Sequence, residues 1–250
     1  MKKMKYKVVL GMLMAGTLLT SGCAVYNGTS TDIPLFQEKG EWQVEAGGIP
    51  LPLSIYYLPI IPIPYRGTVS FSATDRVGLS LSGDLLKQHV QAMGGIYTPV
   101  DEHFVWELYG GLALGRGKET EEGDFSYIGH YVMPFAQVDC GWRDLTRWMH
   151  LDVAFALRAG ALYGETDYSY YLYDQSTESF YTQHDNFQGL RPMLEPSMEV
   201  RFGWNRLKFN VKIYRVFVFG NGNDRPYGLE DIPTVGGGFG FGMSYRFGGH

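Results

Sequence analysis

Residues 238–247 read Gly-Phe-Gly-Phe-Gly-Met-Ser-Tyr-Arg-Phe, so Phe239, Phe241, Met243, Tyr245 and Phe247 alternate with Gly238, Gly240, Gly242, Ser244 and Arg246. Successive side chains of a strand point to opposite faces, which makes this segment a strand with one large apolar face and one small or polar face. The preceding sequence repeats the pattern twice. Leu194, Pro196, Met198, Val200 and Phe202 alternate with Glu195, Ser197, Glu199, Arg201 and Gly203; Leu207, Phe209, Val211 and Ile213 alternate with Arg206, Lys208, Asn210, Lys212 and Tyr214. A tight hairpin through Trp204-Asn205 pairs Phe202 with Leu207, Val200 with Phe209 and Met198 with Val211. It also sets Glu199 opposite Asn210, with Lys208 and Lys212 diagonal to it, so both faces agree in one register.

Outward from this hairpin, the same period predicts strands near 41–48, 66–74, 77–84, 88–98, 103–116, 126–142, 147–163, 189–203, 206–219 and 236–247. Short turns follow the second, fourth, sixth and eighth strands, around 75–76, 99–102, 143–146 and 204–205. Longer links, 49–65, 117–125, 164–188 and 220–235, follow the first, fifth, seventh and ninth; the link near 85–87 is short and breaks the pattern. The stretch Ile49 to Tyr65 is uncharged but carries Pro50, Pro52, Pro59, Pro62 and Pro64, which exclude a helix and make it an extended loop. The expected fold is all-β, an antiparallel up-and-down barrel of about ten strands (range about 8–12) of the transmembrane type, with turns at one end and loops at the other. Alternation alone also fits a soluble β-structure whose aromatic face is buried.

Composition narrows the classes. Of 250 residues, 45% are hydrophobic, 15% aromatic and 19% charged, and 33 are glycine. Beyond residue 23 the chain holds 17 basic against 26 acidic residues, a net of −9, which excludes nucleic acid as a natural partner. Two cysteines cannot make a disulfide scaffold, and so apolar a chain is not intrinsically disordered.

Lys2, Lys3, Lys5 and Lys7 precede an apolar run, Val8 to Leu19, too short to span a membrane as a helix. This is a secretory signal. Leu18-Leu19-Thr20-Ser21-Gly22-Cys23-Ala24 resembles a bacterial lipobox, in which cleavage precedes a lipidated cysteine; Thr20 stands where that pattern has Leu, Val or Ile. Gly22-Cys23-Ala24 also satisfies ordinary cleavage after Ala24. The expected organisation is a signal peptide over 1–22, an N-terminal tether over 23–40 anchored at Cys23, a barrel over 41–247 and a tail over 248–250.

The last strand resembles the β-signal read by the outer-membrane barrel assembly machinery, with Gly242, Tyr245 and Phe247 at its positions; Gly240 and the extension Gly248-Gly249-His250 depart from it. The whole is similar to small bacterial outer-membrane β-barrel proteins with a lipoprotein-type signal. That resemblance implies an outer-membrane location in a Gram-negative bacterium, with membrane lipid and the assembly machinery as partners. Gly40-Glu41-Trp42 resembles the Gly-x-Trp of lipid-anchored lipocalins, whose barrels have eight strands.

The inward faces carry a candidate charge network: Glu45, Glu107, Asp139, Asp152, Glu195 and Glu199 against Arg158, Arg201, Lys208, Lys212 and Arg246. In a narrow barrel such charges pair with one another and fill the interior, or they line a small pore. With a turn at 143–146, Asp139 falls opposite His150 and Gln137 opposite Asp152, the one constellation with a general-base pattern. No nucleophile is spaced beside it, so no catalytic residue is assigned. The histidines His89, His103, His130, His150, His184 and His250 have no metal-ligand spacing, and neither metal nor cofactor is expected. Cys140 falls on the apolar face. The link 164–188 is acidic and carries Tyr168, Tyr170, Tyr171, Tyr173, Phe180 and Tyr181, a candidate surface for an extracellular ligand or an extramembrane hairpin around 174–178.

The function expected from these features is non-enzymatic: an outer-membrane barrel lipoprotein with an envelope structural or surface-interaction role. The alternatives are a narrow, porin-like pore or carrier for small solutes, and a soluble lipocalin-like lipoprotein binding apolar ligands.

Overall fold

In a computed structural model, the described residues are 31–48, 66–85, 88–121, 125–174, 179–219 and 234–248. The alternating segments form ten strands: β1 (Trp42–Gly48), β2 (Arg66–Ser72), β3 (Val77–Asp84), β4 (His89–Pro99), β5 (Phe104–Glu121), β6 (Phe125–Trp142), β7 (Asp152–Asp174), β8 (Ser179–Gly203), β9 (Leu207–Val218) and β10 (Thr234–Phe247). Each pairs antiparallel with its sequence neighbours, and β10 pairs with β1, so the sheet closes into a barrel. Closure leaves no edge of unpaired backbone groups, and period-two alternation then sorts every strand into a lumen face and an outer face.

The predicted strands recur with two kinds of correction. The links 117–125 and 164–188 are mostly ladder: β5 and β6 remain paired to Glu121↔Phe125, and β7 and β8 to Asp174↔Ser179. Residues 164–174 and 179–188 are thus arms of one antiparallel hairpin. Backbone hydrogen bonds continue regardless of side chain, so the ladder extends beyond the stretches that period-two alternation marks.

The second correction is register. The turn between β8 and β9 spans 204–206, closed by Trp204 N–H donating to the Leu207 carbonyl at 2.8 Å. Phe202 therefore faces Phe209, Val200 faces Val211 and Glu199 faces Lys212, two residues from the predicted pairing with both faces preserved. An even slip keeps each side chain on its face, so the hydrophobic pattern alone could not distinguish the two registers.

The outer face is apolar and exposed, with Leu81 at 56%, Val138 at 50% and Ile213 at 56%. The chain's five tryptophans gather at or near the turn end: Trp42 opens β1, Trp106 lies near the start of β5, Trp142 ends β6, and Trp148 and Trp204 lie in turns. Trp42 packs on Phe71 at 4.2 Å and stacks on Phe247 at 6.0 Å, while Phe104 meets Trp142 at 4.9 Å, making an aromatic collar. Within the barrel, Met93, Tyr109, Tyr131, Met133, Phe135, Leu162, Met193, Val216 and Val218 form an apolar cluster.

Candidate functional site

The lumen holds a layer of buried charge. Arg158 lies directly across from Glu195 in the β7–β8 ladder, its guanidinium 3.8 Å from that carboxylate. It also donates to Gln137 Oε1 at 2.8 and 3.0 Å and to Gln91 Oε1 at 3.0 Å, and stacks over the Phe135 ring at 4.2 Å. Arg201 grips Glu199 at 2.7 and 2.8 Å; Lys212 lies 3.6 Å from Glu199 and 2.6 Å from Glu45; Lys208 lies 2.6 Å from Asp152. Asp139 accepts from Gln137 Nε2 at 2.9 Å and sits across the ladder from Glu107. Arg246, half-buried, donates to Gln43 at 2.9 Å. Burying ions is tolerable only with such dense pairing.

His150 does not join this layer. The β6–β7 turn runs from 143 to 151, longer than read, so Asp139 faces Ala156 and Gln137 faces Arg158. Asp152 instead pairs across with Arg201. His150 sits in the turn at φ +40°, its Nδ1 3.1 Å from Asp144 Oδ1. The His-between-carboxylates arrangement is therefore absent. Burial disfavours the Asp144 carboxylate, but its hydrogen bond to Lys208 and the charges of Lys208 and Arg143 outweigh that and hold its pKa below the usual range.

The unexpected occupant of the lumen is the chain itself. Residues 31–36, assigned by sequence to the tether, lie inside the barrel, with Ile33, Leu35 and Phe36 at most 1% exposed. Their backbone is held by lumen side chains. Glu107 accepts the N–H groups of Leu35 (3.1 Å) and Phe36 (2.9 Å). The carbonyls of Asp32, Ile33, Pro34 and Leu35 accept from Gln137 (2.7 Å), Arg201, Arg246 (2.9 Å) and Arg143 (3.2 Å). The Asp32 carboxylate is seated among Arg66, Thr68 (3.0 Å) and Gln91 (2.6 Å), and the Thr31 hydroxyl meets that of Ser197.

Shape follows the same logic. A Cβ at Gly78 would lie 2.8 Å from the Phe36 ring, and one at Gly141 would lie 2.9 Å from a Leu35 methyl. These glycines are the recesses into which the segment packs. Leu35 adopts φ +55°, a left-handed conformation costing about 1–2 kcal/mol, offset by the carboxylate that collects the N–H groups on either side of the bend.

Much of the predicted network is thus assembled: Arg158 with Glu195, Arg201 with Glu199, Lys212 with Glu199 and Glu45, and Lys208 with Asp152. Sequence reasoning missed Asp32, Glu41, Arg66, Gln91 and Arg143 as site residues, and it set Gln137 opposite Asp152 where the ladder sets it opposite Arg158. One signal was available, because Ile33, Leu35 and Phe36 are too apolar for a solvated tether. Cys23 and the side chains of Tyr168, Tyr170, Tyr171, Tyr173, Phe180 and Tyr181 lie outside the described residues. On β10, Tyr245 and Phe247 point outward and are exposed, while Gly242 lies across from Gly47 of β1 at the closing seam. Among the described residues, no group of three or more His, Cys, Asp or Glu side chains could hold a metal ion. No helix among them is long and apolar enough to cross a membrane, which says nothing about strands. No protein-family model matches the chain, and no curated protein matches it.

Proposed function

We propose that the protein is an outer-membrane β-barrel lipoprotein with a non-enzymatic, envelope structural or surface-interaction role. The observation that carries this reading is an inverted distribution of polarity. Leu, Val, Ile and aromatic side chains cover the outer face, whereas Arg158, Arg201, Glu107 and Asp139 are at most 1% exposed inside. A barrel in water gains nothing from this arrangement; one in a bilayer needs it, and the tryptophan collar suits the interface at the turn end. Strands β4 to β10 have 11 or more residues, enough to cross a hydrocarbon core at a tilt of about 45°, which takes about 9–11.

The closed interior favours the structural reading over a pore, since the lumen charges face one another and the 31–36 segment. A lipocalin-like cavity is disfavoured because the inward side chains of β1, β2 and β3 are polar or charged: Gln43 and Glu45, Arg66, Thr68, Ser70 and Ser72, and Ser80, Ser82 and Asp84. The assembly machinery would recognise β10 through Gly242, Tyr245 and Phe247. The test is the folded protein in outer-membrane fractions. Heat-modifiable migration with no single-channel conductance in planar bilayers is the expected result. Release into the aqueous phase after lipase treatment refutes the membrane reading, and stepwise conductance refutes the closed lumen.

A further inference from the structure

Nine carboxylates are buried among the described residues, and seven of them face a cation. Asp32 meets Arg66, Glu41 meets Arg143, Glu45 meets Lys212, Asp152 meets Lys208, Glu195 meets Arg158 and Glu199 meets Arg201. Asp84 stands directly across from Arg66 in the β2–β3 ladder. Glu107 and Asp139 are the other two. Both are 0% exposed, and among the described residues neither forms an ion pair.

The ladder explains the exception. At this height Tyr97 of β4, Glu107 of β5, Asp139 of β6, Ala156 of β7 and Ser197 of β8 stand in one row across the sheet. The two acids are therefore neighbours on the lumen face, flanked by Tyr97 and Ala156, which belong to the apolar cluster of Ile33, Leu35 and Phe36. The cations nearest in sequence position are engaged elsewhere: Arg158 with Gln137, Gln91 and Glu195, and Arg201 with Glu199 and the Ile33 carbonyl. The two carboxyls are also served unequally. Glu107 accepts from the N–H groups of Leu35 and Phe36 and from the Tyr109 hydroxyl at 3.3 Å. Asp139 accepts only from Gln137 Nε2 on one oxygen, and its Oδ1 has no hydrogen-bond partner among the described residues. Two adjacent carboxyls in a dry interior do not both ionise, since each charge lacks a counter-charge and repels the other.

We propose that Glu107 and Asp139 hold one proton between them, Asp139 as the neutral member and Glu107 as the anion that seats Leu35 and Phe36, so that the 31–36 segment is clasped in a proton-dependent way. When the segment lifts, Glu107 loses two N–H donors and its apolar cover, water reaches the pair, and both carboxyls ionise at neutral pH. Opening thus releases one proton. The seated state binds more protons than the open one, so acid tightens the clasp and alkali loosens it, by about tenfold in the opening constant per pH unit. The groups that face the pair are Tyr97 on β4, Tyr109 on β5, Gln137 on β6, Arg158 on β7, Arg201 on β8 and Asp32 on the segment itself. The arginines and the ion-paired Asp32 keep their charges through the neutral range, which leaves the Glu107–Asp139 pair as the source of the released proton.

The experiment uses the full chain folded in detergent micelles. Infrared difference spectra at about pH 8 are expected to show a protonated-carboxyl C=O band that is absent from Asp139→Asn, a pH at which an ordinary carboxyl is ionised. Hydrogen exchange at the Leu35 and Phe36 amides, corrected for the intrinsic pH dependence of amide exchange, should speed up about tenfold per unit between about pH 6 and about pH 8 and become flat in Asp139→Asn. The wild-type band and the wild-type slope stand even where Asp139→Asn does not fold, and Glu107→Gln then serves as the second variant, also with a flat slope. Absence of the band from the folded wild type, or a flat wild-type slope, overturns the proposal. So does a band or slope unchanged in the folded variants. Exchange that follows sodium concentration instead of pH places a metal cation between the two carboxylates and overturns the shared proton.

Discussion

Asp32 is the best place to test whether the N-terminal segment is held as described. Its carboxylate is 2% exposed and engages Arg66, 9% exposed, together with Thr68 and Gln91. Truncating one partner of a buried ion pair costs about 3–5 kcal/mol, because the other charge stays desolvated. Arg66 also feels the charges of Glu45 and Asp84, so the lower end, about 3 kcal/mol, applies to Asp32→Ala. At about 1.4 kcal/mol per tenfold change, local opening of the segment rises about 10²-fold. The reporters are the Leu35 and Phe36 amides, whose protection comes from Glu107. Hydrogen exchange in detergent micelles should show these two accelerating about 10²-fold, while ladder amides such as that of Val211 keep their rates. Unchanged exchange at Leu35 and Phe36 refutes Asp32 as the lock. Equal acceleration along β9 refutes a segment that opens independently of the barrel.

Three further outcomes follow from the same geometry. Gly78→Val, which drives a side chain into Phe36 and Tyr109, should lower stability by about 1–3 kcal/mol in urea melts of the folded gel form, whereas Gly240→Ala should leave the midpoint in place. Val138→Arg, on the outer face across from Leu108, should destabilise the protein in bilayers by about 2–4 kcal/mol; a shift near zero would count against a lipid-facing wall. The Asp144 carboxyl, with its pKa lowered in the folded protein, adds stability at neutral pH that disappears as pH falls through its folded value. Proteolysis of the 143–151 turn should therefore increase on acidification from about pH 6 to about pH 3, less so in Asp144→Asn, and an identical profile in that variant would exclude Asp144 as the source.

The alternation that makes Phe241, Met243, Tyr245 and Phe247 one face is a local property, and so is the sign of each strand face. Those features were legible because a strand's period needs no partner. The β8–β9 register was legible only to within two residues, since sliding by an even number leaves Glu199 and Lys212 inward either way. His150 was misplaced for a related reason: its position depended on a turn length that nothing near Arg143 or Asp144 announces.

By itself, then, the sequence determined an all-β chain of about ten alternating strands and the inward placement of Arg158, Glu195, Glu199 and Arg201. What fills the barrel was decided only by tertiary structure. Asp32 reaches Arg66 across 34 positions, Leu35 and Phe36 reach Glu107 across 72 and 71, and Ile33 reaches Arg201 across 168. No periodicity within a strand encodes such contacts. They exist because closing the sheet creates a narrow, charge-lined interior, and buried charges there must find partners, even from the backbone of the chain's own N-terminal segment.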